Sequence, residues 1–214
     1  MARISTLDQL VALYPSPSER VRTKKQAAFD EGTRGLVESS TFVLLATADT
    51  EGRCDVSPRG GPAGFVKVLD DRHVAIPDLN GNHLIDSLRN IVVNPHAGLL
   101  VLVPGQDETL RVDGTAVVTT DDDVLDRFVD ELRRPRVAIV LEVEHVFTHC
   151  AKAFRRGGVW RPDTWPAFDR SPFLAARHGQ LVRDGLTDDA IDDYISTNSC
   201  KIDDDLAADA PTVD

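Results

Sequence analysis

The sequence predicts an α+β protein centred on a mostly antiparallel β-sheet of six or seven strands, closed or nearly closed into a barrel. Three observations lead there. Apolar runs rich in Val, Ile, Leu and Phe recur at short intervals between residues 41 and 149, as in sandwiches and barrels. Only two helical patterns interrupt them, too few for the regular alternation of parallel βαβ units. Such a series of strands leaves exposed edges unless it curls closed.

The elements follow in order. Leu7, Leu10, Val11 and Tyr14 fall at helical spacing, and "PSPSE" ends that helix. Ser18 is a candidate cap for a second helix carrying Val21, Ala28 and Phe29 through a basic surface of Arg20, Arg22, Lys24 and Lys25. Residues 33–39 read as one further helical turn. "TFVLLATA" (41–48) is a buried strand, "DTEGR" a turn, and "CDVSP" the start of a second strand that stops at Ser57-Pro58-Arg59. "GFVKVLD" (64–70) and "HVAIP" (73–77) are the next two strands, and residues 80–95 a loop then a helix with Leu84, Ile85, Leu88 and Ile91 on one side. "AGLLVLV" (97–103), "ETLRVDGTAVVT" (108–119) and "RVAIVLEVEHVFTH" (136–149) complete the sheet, with Gly114 a bulge candidate. "DDDVLDRFVDEL" (121–132) is a helix whose acidic first turn suits the helix dipole. After residue 150 come a polar, basic and aromatic segment, two short helices, and an acidic tail expected to be disordered at its end. This divides the chain into N-terminal helices (1–40), a barrel (41–161), and C-terminal helices with the tail (162–214).

Composition narrows the function classes. The 214 residues are 42% hydrophobic and 28% charged, ordinary for a folded domain with a real core. A net charge of −11 argues against nucleic acid or an anionic membrane surface as partner, while leaving room for one local phosphate pocket. No apolar run is long enough for a membrane span, and the N-terminus lacks a signal peptide's apolar core. Cys54, Cys150 and Cys200 form no CxxC pair and no disulfide framework. The expected compartment is the cytoplasm, with reduced thiols.

Standard catalytic signatures are absent: there is no GxSxG, Walker A or GxGxxG. The six histidines form neither HExxH nor HxH, and no four-ligand metal set is visible. What remains is a spread of anion-binding and hydrogen-bonding residues. Ser57, Pro58 and Arg59 lie in "SPRGGPAG", where Gly60, Gly61 and Gly64 let backbone approach a ligand closely. Asp78, Asn80, Asn82 and His83 precede a helix start, whose free N–H groups favour a negative ligand. Thr109 and Arg111 share one face of a strand by alternation. Lys152, Arg155, Arg156 and Trp160 cluster after the last strand. Each has a plainer reading: Arg111 as a barrel-surface charge, Asn80-Gly81-Asn82 as turn chemistry, Trp160 as a packing aromatic.

Taken together, "TFVLLATADTEGRCDVSPRGG", "VAIPDLNGNHLIDSLRNIVVNPHAGLLVLVPG", "ETLRVDGTA" and "HCAKAFRRGGVW" resemble the pyridoxamine 5'-phosphate oxidase-like flavoproteins, in particular a bacterial branch with the Ser-Pro-Arg-Gly signature, over residues 35–161. The resemblance implies the FMN-binding split β-barrel fold and a homodimer with FMN at the subunit interface. It implies an oxidoreductase moving a hydride between flavin and a small-molecule substrate, with NADH or NADPH a candidate electron donor. By the same resemblance, Ser57–Arg59 runs along the flavin, the Asp78–His83 loop lies near its phosphate or ribityl chain, and Thr109 and Arg111 touch it. Lys152, Arg155 and Trp160 close the site from the end of the barrel or across the dimer. No acid or base is identified; Lys152, Arg155 and His83 are candidates for orienting an anionic substrate or protonating product.

The chain also departs from that pattern. Val-Ser-Pro-Arg-Gly stands in place of the oxidases' Arg-x-Val-Leu-Leu-Lys strand, Asn-Gly-Asn-His in place of their Ser-Arg-Lys loop, and Gly157 in place of the branch's serine. The C-terminal Arg-x-His motif is absent. These departures argue against pyridoxamine phosphate as the substrate. The alternative expectation is a non-catalytic flavin-, haem- or deazaflavin-binding or sensing protein on the same barrel, with His149 the one histidine suggesting haem.

Overall fold

The computed structural model describes residues 3–81, 83–167 and 171–211. Its centre is a seven-stranded sheet: β1 (Phe42–Ala48), β2 (Cys54–Gly60), β3 (Lys67–Val68), β4 (His73–Pro77), β5 (His96–Leu102), β6 (Thr109–Thr119) and β7 (Ala138–His149). The strand order is β2-β1-β5-β6-β7-β4-β3, and every neighbouring pair is antiparallel. The expected α+β class with a mostly antiparallel sheet is therefore what the chain adopts. Among the described residues no ladder joins the edge strands β2 and β3, so the curled sheet is split along that seam.

Alternation explains the core. Val43 and Leu45 of β1 lie level with Val101 and Leu99 of β5, which pair in turn with Leu110 and Val112 of β6. All six are buried in one cluster with Ile76, Ile139, Leu141 and Val146. Glycine at 114 is a steric requirement: the β6–β7 register shifts between Asp113 and Gly114, and a Cβ there would lie 1.9 Å from the Glu142 carbonyl oxygen. The bulge expected at this residue is present.

The helices are α1 (Leu7–Val11), α2 (Glu19–Arg22), α3 (Glu31–Glu38), α4 (Asp86–Val93), α5 (Asp122–Leu125), α6 (Lys152–Gly157), α7 (Ser171–Arg183) and α8 (Asp188–Ala208), of which α3 and α4 pack against the sheet. Asp30 caps α3 through a capping box with Thr33. The second helix is shorter than its apolar spacing suggests. Ser18 makes no side-chain cap, and the chain leaves α2 so that Gln26 can exchange two backbone hydrogen bonds with Val146.

Three further boundaries differ from expectation. The strand expected to stop at Ser57 runs on to Gly60; β2 is an edge strand, where proline's missing N–H leaves no ladder bond unmade. The strand expected over 64–70 shrinks to Lys67–Val68, because Gly64 turns the chain at φ +86° and sends Phe65 and Val66 into the core. The helix expected over 121–132 tightens to 3₁₀ geometry at Asp126–Phe128, burying Phe128 with Ala75, Leu125 and Ala138. The acidic stretch, expected to be disordered at its end, is helical as far as Ala208, and residues 212–214 at that end lie outside the described residues. No glycine or proline interrupts the sequence between Gly185 and Pro211.

Candidate functional site

A cleft of about 840 Å³ lies beside edge strand β2. Its floor is β2 from Asp55 to Gly60, and its far wall is the segment from Pro77 at the end of β4 to Ser87 in the first turn of α4. Glu131 and Leu132 line its back, and the end of α8 and the chain after it reach its rim through Leu206, Asp209, Ala210 and Pro211.

Strand alternation sets what the floor presents. Arg59 pairs with Val43 and Ser57 with Leu45, so Asp55, Ser57 and Arg59 share the face of the buried core residues. Arg59 Nη1 donates to Asp78 Oδ1 at 3.0 Å across the cleft, and the Arg59 side chain is only 19% exposed. Its Nε is fully buried and has no hydrogen-bond partner. A buried N–H of this kind normally finds an acceptor. Ser87 Oγ donates to Asp55 Oδ2 at 3.0 Å, joining the helix start to the strand.

The wall carries unusual backbone. His83 and Ile85 are the non-glycine residues with positive φ among those described, at 59° and 52°. For β-branched Ile85 this region is sterically unfavourable. Ile85 is the N-cap of α4 and supplies no capping side chain, leaving the first N–H groups of that helix without a side-chain cap.

The cleft therefore unites Ser57, Pro58, Arg59, Asp78 and His83. Asn82 lies outside the described residues. The other sequence candidates stand elsewhere in the chain. Arg111 pairs with Leu100, which pairs with Leu44 and so with Pro58. That row faces away from the core, on the opposite side of the sheet from Arg59. There Arg111 Nε donates to Asp113 Oδ1 at 2.9 Å, and its guanidinium lies 5.8 Å from the centre of the Phe147 ring, which Lys24 and Lys25 also approach. Thr109 is buried opposite His149. Arg155 and Trp160 flank a second, smaller hollow: Arg155 Nε donates to Asp107 Oδ2 at 2.8 Å, and Trp160 Nε1 donates to the Gln106 carbonyl at 2.6 Å. Lys152 is exposed at the start of α6.

The glycines need a different explanation from the one the sequence suggested. A Cβ at 61 would come within 2.7 Å of the Phe65 side chain, and Gly64 holds a left-handed turn. Both are demanded by the chain itself. Gly60, where a Cβ would meet nothing nearer than 3.5 Å, is the one of the three on the strand that floors the cleft.

Sequence reasoning missed Asp55, Ser87 and Asp209. Asp55 was within reach, since it lies two residues before Ser57 and alternation puts both on one face. Ser87 and Asp209 carry no sequence signal that ties them to this strand. Charge in the cleft is also lopsided. Asp55, Asp78, Asp86, Glu131 and Asp209 line it, against Arg59 as its lone lysine or arginine among the described lining residues. Groups of three or more His, Cys, Asp or Glu side chains placed to hold a metal are absent among the described residues. No described helix is long and apolar enough to cross a membrane.

HupZ of Group A Streptococcus is 16% identical, covering 56% of this chain and 93% of its own, with a TM-score of 0.47. A Lactobacillus delbrueckii protein described as a candidate pyridoxamine 5'-phosphate oxidase is 27% identical over 58% of this chain and 99% of its own, with a TM-score of 0.45. An FMN-binding protein from Syntrophomonas wolfei is 12% identical over 56% of this chain and 88% of its own, with a TM-score of 0.38. No curated protein matches the chain. The model of the pyridoxamine 5'-phosphate oxidase family matches residues 29–150, from Phe29 before α3 to the end of the sheet, and the chain belongs to that family.

Proposed function

We propose that this protein is an FMN-binding oxidoreductase that works as a homodimer on a small substrate. The observation that carries the reading is the cleft beside β2. It is of cofactor size, it gathers Ser57, Pro58, Arg59, Asp78 and His83, and it contains a buried guanidinium N–H with no partner in the chain. Family membership supplies the class of ligand.

The residues present fit a flavin in part. The Arg59 guanidinium is held by Asp78 and keeps Nε free for a ligand acceptor, and Ser57 supplies a hydroxyl beside it. Bound flavin supplies two-electron redox chemistry by hydride transfer. The chain's own residues orient and shield: Arg59 and Ser57 fix one edge, His83 stands where a proton could be exchanged at an imidazole nitrogen, and Leu79, Leu84 and Phe65 exclude water. Five carboxylates against one arginine leave the cleft short of cations for a phosphate. That shortage favours a second chain bringing Lys152, Arg155 or Arg156 to the rim, and hence the dimer.

The test is a titration of the purified protein with FMN, read by quenching of flavin fluorescence, with sedimentation to give the mass. Binding of one FMN per chain to a dimer, followed by bleaching of the flavin with NADH or NADPH, supports the enzyme. Bound flavin that no donor reduces supports a binding role without catalysis. A Soret band after haem addition, with no flavin uptake, supports the haem alternative.

A further inference from the structure

The chain after α8 has a role that neither the family nor the strand pattern assigns. Leu206 and Asp209–Pro211 line the rim of the cleft, more than a hundred residues beyond its other walls in sequence apart from Glu131 and Leu132. The contact is hydrogen-bonded. Asp209 Oδ1 accepts from the Asn80 backbone N–H at 3.4 Å, and the Asp209 carbonyl accepts from the Arg133 backbone N–H at 2.8 Å. Arg133 Nη2 reaches Asn80 Oδ1 at 3.5 Å, so the wall, the back and the tail meet at one point. Asp209 is half-buried there.

We propose that Asp209 is the catch of a C-terminal latch across the cleft, and that an anionic ligand must displace it to enter. The carboxylate holds the donors that such a ligand would use: a backbone N–H on the wall and the positive field of Arg133. It also adds a negative charge at the rim of a cleft already rich in carboxylates. The latch is weak by construction. Burial pushes the Asp209 carboxyl above the usual carboxylate range, with the charge of Asp205 adding to the effect, while the Asn80 N–H and Arg133 hold it down. The ionised form is thus poorly compensated, as suits a contact that opens. Leu206, exposed one turn earlier, is the apolar edge that the latch lays over the ligand.

This inference rests on the flavin reading for its ligand, and its test separates the two. Full-length protein and the Asp209→Ala and Asp209→Asn variants are titrated with FMN. The control is Asp189→Ala, which changes net charge equally but lies at the far end of α8, about 30 Å away along the helix. The latch predicts FMN binding about tenfold tighter in Asp209→Ala, a smaller gain in Asp209→Asn, and no change in Asp189→Ala. It also predicts faster amide exchange at Asn80 in Asp209→Ala without ligand. Affinity unchanged or weaker in Asp209→Ala, or raised equally by Asp189→Ala, overturns the latch and leaves the flavin reading standing. FMN bound by none of the four proteins overturns the flavin reading and the latch with it.

Discussion

Arg59 and Asp78 meet across the cleft at 3.0 Å, although one lies on an edge strand and the other beyond the end of a strand at the far side of the sheet. The pair ties the two walls together, and beside it the buried Nε–H of the same guanidinium has no hydrogen-bond partner. A fork-shaped donor of this kind is pre-organised in a way that a flexible ammonium is not.

Replacing Arg59 therefore tests the cleft. Arg59→Ala removes a charged donor of the sort worth about 1.5–3 kcal/mol, so FMN affinity falls about 10- to 100-fold. Arg59→Lys recovers little, because no lysine donor occupies the Nε position. Fluorescence titration gives both numbers; equal affinity in all three proteins removes Arg59 from the site.

Gly114→Ala tests the fold without touching the cleft. The new methyl would sit 1.9 Å from the Glu142 carbonyl oxygen, against backbone that cannot yield as a side chain can. The expected loss is about 4 kcal/mol or more, at the severe end for a single substitution. Urea unfolding of the two proteins measures it; a loss under about 1 kcal/mol contradicts the bulge.

Acid is expected to weaken the domain. The Thr33 backbone N–H, then its hydroxyl, hold the Asp30 carboxyl below its usual range, and the Arg72 backbone N–H does the same for Asp70. A depressed folded pKa stabilises the native state above the unfolded value near 3.9, and that stability is lost as pH falls through the folded values. The melting temperature should fall progressively below about pH 4. Asp30→Ala should cost about 1 kcal/mol at neutral pH and flatten the acid limb of the profile. An unchanged limb in that variant contradicts the capping box as its source.

Much of the sheet was legible in the sequence because its residues alternate. Val43 and Leu45, Leu99 and Val101, and Leu110 and Val112 announce both the strands and the face they bury. Gly114 was legible as a bulge for the same reason, being the glycine that interrupts a long alternating run. The elements that were misjudged depend on partners far away in sequence. Gly64 reads as part of a strand until its neighbours Phe65 and Val66 are seen to need the core. The acidic stretch after Cys200 carries no local signal that Asp209 meets Asn80 and Arg133.

The site was legible only by halves. Ser57, Arg59, Asp78 and His83 do converge. Their convergence follows from β2 lying at the edge of the sheet with the loop after β4 folded toward it, a tertiary fact that no local pattern encodes. Arg111 shows the reverse case. The strand register alone sets it against Leu100 and Pro58 rather than Val43, and so on the other side of the sheet from Arg59. Arg111, Lys152, Arg155 and Trp160 reach a flavin in this cleft only if a second chain presents them.

The most direct test of the account is the absorbance spectrum of the protein as purified and again after incubation with FMN and removal of the excess. The account predicts a yellow protein with flavin bands, and flavin freed into solution on denaturation. Protein that stays colourless after that incubation, and also after incubation with related flavins, contradicts it.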